Sequence, residues 1–145
     1  MRGYTCLVGD LFHAGHVNFL KQAKAEGDYL LVGVCSDEDC AYYKRRTILT
    51  VQERAVVIAA CRYVDEIILS PPSVVSQEFM DLYRIDLLVH ADDCSETQIK
   101  HFYGPAYAQG KYKSLPYTKG ISTTEIINRI ASRTSEELQR KYFLG

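Results

Sequence analysis

Short apolar runs separated by amphipathic stretches constrain this chain more than any other feature. The clearest run is Asp28–Ser36, which reads DYLLVGVCS and is apolar almost throughout. A strand with one wet face would alternate; a run without alternation belongs to a parallel strand covered on both faces. Tyr4–Gly9, Val64–Leu69, Asp86–His90 and Lys111–Leu115 are the other strand candidates. Between them the spacing predicts helices over Gly15–Glu26, Thr50–Arg62, Val74–Tyr83, Glu96–Gln109 and Thr123–Ser132. Gly27 closes the first of these, and Thr50 with Glu53 forms a capping box for the second. Ala41–Leu49 reads as a loop. With no hairpin signal, this order gives an α/β chain: an open parallel sheet of about five strands with helices between them. Ligands of such sheets bind beyond the carboxyl ends of the strands.

At 145 residues the chain makes one domain. Its charged tail from Arg133 is expected to extend it as a helix. Apolar residues are 47% and charged residues 24%, as in ordinary soluble proteins. A net charge of −1 gives no reason to expect nucleic acid or a membrane surface as partner. No apolar run approaches the ~18 residues of a membrane span. The first residues lack the basic-then-apolar layout of a signal peptide, so the cytoplasm is the expected location. The five cysteines, Cys6, Cys35, Cys40, Cys61 and Cys94, are odd in number and contain no C-x-x-C. They read as small buried hydrophobes in a reducing compartment. Cys35 and Cys40 have a zinc-like spacing with no second pair.

Two short segments carry the chemistry. His13-Ala14-Gly15-His16 stands where the first strand gives way to a helix. Three residues apart, both imidazoles can share one side of the first helical turn. Gly15 lets a ligand approach the backbone, and the helix start offers free N–H groups to phosphate oxygens. The plain alternative is a pair of surface or capping histidines; a metal site lacks a third ligand at a usual spacing. The second segment is Gly120-Ile121-Ser122-Thr123-Thr124, before the last helix. Ser122 and Glu125 could be only a capping box. The three hydroxyls of Ser122, Thr123 and Thr124 exceed what a cap requires. Lys44, Arg45 and Arg46 are either a solvated loop or an arm closing over phosphates. Arg54 and Arg62 are either surface charges or a phosphate clamp on one helix face. No Walker loop, no G-x-G-x-x-G and no G-x-S-x-G is present.

Further segments fall in a familiar order: QER with Arg54, Arg62-Tyr63-Val64-Asp65-Glu66, and Val89-His90-Ala91-Asp92-Asp93. With H-x-G-H and GISTT, they make the chain resemble the HxGH cytidylyltransferases, from about Tyr4 to Ile130. That family includes enzymes acting on glycerol-3-phosphate, phosphocholine and phosphoethanolamine. The resemblance implies a Rossmann-like nucleotidyltransferase domain over 1–132, with 133–145 as its charged helical tail. It implies CTP, Mg²⁺ with the nucleotide, and a homodimer.

The resemblance places His13 and His16 on the triphosphate and Lys44 on the phosphates, as the catalytic set. Val8, Gly9, Asp10, Gly15, Asp92, Asp93, Tyr117, Thr118, Gly120, Ile121, Ser122, Thr123 and Thr124 would bind the nucleotide. Arg54 and Arg62 would meet the acceptor. Two positions depart from the family pattern. Val8-Gly9 stands where a small residue and an aromatic usually precede Asp10, and Tyr117 stands where an arginine is usual. Pro116-Tyr117-Thr118 and Tyr43-Lys44-Arg45 resemble nucleotidyltransferases of bacterial phosphonate pathways, which use 2-aminoethylphosphonate or 2-hydroxyethylphosphonate.

The implied reaction is attack of an acceptor phosphate or phosphonate oxygen on the α-phosphorus of CTP, with release of pyrophosphate. Such an oxygen is largely ionised near neutrality, so no general base is needed. Two alternatives remain open on the residues alone: an adenylyltransferase of the same fold, and a nucleotide-sensing module without turnover.

Overall fold

The protein, in a computed structural model, is described over residues 1–140. Five strands form one parallel sheet: β1 (Arg2–Leu7), β2 (Tyr29–Val34), β3 (Glu66–Leu69), β4 (Leu87–Ala91) and β5 (Tyr112–Leu115). Their order across the sheet is β3-β2-β1-β4-β5. The chain winds one way from β1 to β3, then crosses back to place β4 on the other side of β1. This reversal opens a crevice beyond the carboxyl ends of β1 and β4.

Helices cover both faces. The helices α1 (Ala14–Ala25) and α3 (Val51–Ala59) bring Leu20, Ala23, Val51 and Ile58 onto Leu30, Val32, Val34, Val89 and Leu115. On the other face, α4 (Gln77–Tyr83) and α5 (Glu96–Ala108) bring Phe79, Met80, Tyr103 and Ala106 onto Tyr4, Leu31, Ile68 and Leu88. Residues 30, 31 and 32 of β2 therefore point alternately to two separate cores. That double burial is why β2 shows no polar alternation.

The helix starts follow local chemistry. Thr50 caps α3 by accepting the Glu53 N–H at 3.2 Å, and Glu53 returns to the Thr50 N–H at 2.9 Å. Three local expectations are corrected. Part of the expected loop at 41–49 is helical, because α2 (Asp37–Tyr43) runs into it. Ser36 caps that helix and Asp37, Glu38 and Asp39 fill its first turn, where acids favour the dipole. At α6 (Thr123–Ala131), Ser122 accepts the Glu125 N–H, but the Glu125 carboxylate pairs with Arg129 at 2.9 Å. Finally, α3 ends at Ala59, so Arg62 lies beyond it and shares no helix face with Arg54. The tail forms the short helix α7 (Ser135–Gln139); the rest of the expected extension, 141–145, lies outside the described residues.

Candidate active site

The β1 exit makes a sharp turn. Gly9 has φ +65°, a left-handed conformation that suits glycine, and a Cβ there would stand 2.5 Å from Ile58. The turn is anchored from below by Arg54, which is completely buried. Its guanidinium donates to the Val8 carbonyl at 2.8 Å, the Leu49 carbonyl at 3.2 Å and the Asp37 carboxylate at 2.7 Å. Asp10 is also buried, and its two oxygens accept the N–H groups of Ile48 and Leu49 at 2.8 and 3.0 Å. Arg54 and Asp10 together tie the turn after β1 to the loop after α2.

His13 is the N-cap of α1. Its Nδ1 accepts the Gly15 N–H at 3.0 Å, while His16 Nδ1 accepts the His13 N–H at 3.1 Å. Both Nδ1 atoms are used as acceptors, so each neutral ring carries its hydrogen on Nε2. The rings lie 3.9 Å apart, and His16 stacks on Phe12. Burial lowers the pKa of His13. Burial, and then the His13 charge, lower that of His16 to about 4. Both are therefore neutral N–H donors at physiological pH, not fixed cations. Gly15 is required by this arrangement: a Cβ there would stand 2.8 Å from the His13 ring.

The second segment meets the first. Thr123 Oγ1 donates to the Asp10 carbonyl at 3.0 Å and stands 3.3 Å from His13 Nε2, whose hydrogen it can accept. Asn18 on α1 donates to Thr118 Oγ1 at 2.6 Å, and Ile121 packs beside Gly15. Gly120, at φ +90°, turns the chain into Ser122. The starts of α1 and α6 thus border one cleft of about 320 Å³. Val8, Gly9, Asp10, His13, Gly15, His16, Lys44, Asp93, Tyr117, Thr118, Ile121, Ser122, Thr123 and Thr124 all line it. A second cavity of about 290 Å³ adjoins it, and Cys6, Leu7, Val8, Lys44, His90 and Asp93 line both.

Several expected site residues stand elsewhere. Arg54 lines neither cavity, and each of its three side-chain nitrogens donates to the framework. Arg62 is exposed, three residues before Asp65, which accepts the Leu30 N–H at the start of β2. That is the sheet edge opposite the cleft, so Arg62 does not border this chain's own site. Asp92 is exposed and lines neither cavity; its N–H is spent on the Leu115 carbonyl at 2.8 Å. Gly120 shapes the turn without lining the cleft. Of the cysteines expected to be buried, Cys40 is; Cys6, Cys35 and Cys94 are half-buried and, with Cys40, line the second cavity.

Of the basic run at 44–46, Arg45 lines the cleft beside Lys44 and Arg46 does not. His90 stands 3.3 Å from Asp93 Oδ1, and Tyr117 donates to Asp93 Oδ2. His90 first and Tyr117 second hold the Asp93 carboxyl well below the usual carboxylate range. The tyrosine at the position where the family usually has arginine thus supplies a neutral clamp on Asp93.

With this geometry in hand, similarity to known proteins is informative. A family model described as cytidylyltransferase-like matches residues 9–129. This chain belongs to the cytidylyltransferase-like family. It is 35% identical over 139 residues to mouse ethanolamine-phosphate cytidylyltransferase, covering 92% of this chain and 34% of that protein. It is 38% identical over 133 residues to human choline-phosphate cytidylyltransferase A, covering 90% and 36%. The chain spans about a third of the length of these curated relatives. Among solved structures, the lipopolysaccharide core biosynthesis protein from Thermoplasma volcanium superposes with a TM-score of 0.66 at 22% identity, covering 83% of this chain and 98% of that one. Pantothenate synthetase from Thermus thermophilus gives 0.55 at 11%, covering 94% and 63%. At those identities the likeness is one of fold.

Proposed function

We propose that this protein transfers CMP from CTP to a small acceptor bearing a phosphate or phosphonate, with release of pyrophosphate. The observation that carries the reading is the contact among Asp10, His13 and Thr123, which joins the two helix starts over one cleft. Two positive dipole ends and two Nε2–H donors facing one space suit a chain of phosphoryl groups. Family membership favours cytidine as the nucleoside.

The acceptor oxygen attacks the α-phosphorus in line, and the bond to the pyrophosphate oxygen breaks. The acceptor's second ionisation lies near pH 6, so the attacking oxygen is already charged at neutrality. The residues then have two tasks: positioning, and stabilising charge on the α-phosphoryl group and departing pyrophosphate. His13 and His16 donate through Nε2, Lys44 and Arg45 bring positive charge, and the helix starts bring backbone N–H groups. Neutral imidazoles suit this role, because no solvation shell of a cation has to be stripped as the nucleotide enters.

Magnesium belongs to this reading only as an ion carried by the nucleotide. A hard cation takes oxygen ligands in octahedral array. Both Asp10 oxygens already accept backbone N–H groups, and the corner otherwise offers imidazoles and hydroxyls. That donor set does not fit a protein-held magnesium ion.

The relatives named above act on ethanolamine phosphate and choline phosphate. We place an acceptor of that kind, or 2-aminoethylphosphonate or 2-hydroxyethylphosphonate, in the second cavity, which adjoins the cleft. Tyr117 in place of arginine supports the phosphonate end of this range. A two-copy assembly is part of the reading, supported by Val56 and Val57 left exposed on α3. Five free thiols fit a reducing cytoplasm, and no helix among the described residues is long and apolar enough to cross a membrane.

The test is pyrophosphate release from CTP and from ATP across these acceptors. We expect release with CTP and at least one acceptor. Faster release with ATP would make the enzyme an adenylyltransferase. Tight CTP binding without release for any acceptor would make it a sensor.

A further inference from the structure

One cluster of three side chains lies where the two cavities meet. His90 ends the buried part of β4, and the chain then turns through Asp93 and Cys94 before Ser95 caps α5. His90 Nδ1, Asp93 Oδ1 and Cys94 Sγ converge on one point. Their separations are 3.3 Å for nitrogen to oxygen, 3.8 Å for sulfur to nitrogen and 3.6 Å for sulfur to oxygen. Zinc bonds of about 2.0–2.3 Å at the tetrahedral angle separate nitrogen, oxygen and sulfur ligands by roughly 3.3–3.6 Å. The three atoms are thus spaced as three corners of a zinc tetrahedron.

We propose that His90, Asp93 and Cys94 form a binding site for one divalent cation of the zinc class, with its fourth coordination position open to the cleft.

Three features support it. Imidazole, thiolate and carboxylate together select zinc over magnesium or calcium, which take oxygen ligands. The carboxylate is divided between two tasks: Tyr117 holds Oδ2, while Oδ1 faces His90 and Cys94. Such an orienting hydrogen bond is the usual support of a metal ligand. His90 and Asp93 line both cavities and Cys94 lines the second, so the fourth position opens on space for water or a ligand oxygen. In the metal-free protein His90 Nδ1–H donates to the Ala91 carbonyl at 3.0 Å; metal at Nδ1 takes the place of that hydrogen, which moves to Nε2, and Cys94 binds as thiolate with release of its proton.

The proposal goes beyond CMP transfer and is independent of it, because its test contains no nucleotide. Metal-stripped protein is titrated with Co²⁺ while thiolate-to-cobalt charge-transfer absorption is followed, and Zn²⁺ binding is measured by equilibrium dialysis. About one equivalent of Co²⁺ should produce the band. Cys94→Ser should abolish it and weaken Zn²⁺ by more than the ~10–100-fold that loss of an orienting partner costs. Tyr117→Phe should keep the band and weaken Zn²⁺ about 10–100-fold. The rival thiols are Cys6 and Cys35, whose sulfurs lie 3.1 Å apart on the cavity floor. Cys35→Ser should leave the band unchanged. A band that survives Cys94→Ser but not Cys35→Ser overturns the proposal, as does wild-type protein that yields no band. Circular dichroism of Cys94→Ser confirms that a lost band reflects a lost ligand.

Discussion

His16, a triphosphate donor in the proposed function, also sets a pH dependence. Its folded pKa is about 4 against an ordinary 6.5, chiefly because it is buried. Below pH 6.5 the unfolded chain takes up a proton that the folded protein refuses. Stability from this group is therefore full above pH 6.5, falls as pH drops towards 4, and is level below that. The melting temperature of the ligand-free protein should decline across that window, and the decline should be shallower in His16→Ala. An equal slope in the two proteins would assign the decline to other groups. The same substitution removes one Nε2–H donor, and turnover with CTP should drop on the order of 10²–10³-fold in kcat. Lys44 lines both cavities, and Lys44→Ala should raise the KM for CTP in steady-state assays. Unchanged kinetics would return it to a solvated surface.

At the scale of elements, Arg54 decides how α3 meets the β1 exit. The sequence allows a phosphate clamp there; the structure instead gives it two carbonyls and Asp37. The helical phase explains this. Val51, Arg54 and Ile58 fall on one side of α3, and that side is the buried one. A cation forced onto an inward face must find acceptors, and the turn after β1 provides them. Arg54→Met should destabilise the protein by about 2–4 kcal/mol in urea unfolding, since it leaves buried carbonyls unpaired. A loss below ~0.5 kcal/mol would mean that those carbonyls find other partners. The missed helix α2 teaches a related lesson. Its signal, Ser36 followed by three acids, is local and present in the sequence, but the Tyr-Lys-Arg composition after it obscured the start.

At the scale of the whole molecule, the reversal of strand order between β1 and β4 gathers the site. Residues near 13, 44, 93 and 123 come from four separate connections and share one cleft because every strand points its carboxyl end the same way. A nucleotide spanning this cleft binds the folded state alone. At 100 times its Kd, CTP should add about 2.7 kcal/mol to stability and raise the melting temperature accordingly. No shift at such a concentration would mean that the cleft does not hold CTP.

The amino-acid order alone determined the strand-helix alternation, the double-sided burial of β2, the two helix-start segments at 13–16 and 120–124, and the family. Those depend on periodicity, capping chemistry and short motifs, all of which act over a few neighbouring residues. Only the tertiary structure decided that Arg54 is framework, that Arg62 lies at the far edge of the sheet, and that Tyr117 clamps Asp93. It also decided that His90, Asp93 and Cys94 converge on one point. A side chain's partners depend on which faces are pressed together after the sheet closes, and local spacing does not carry that information.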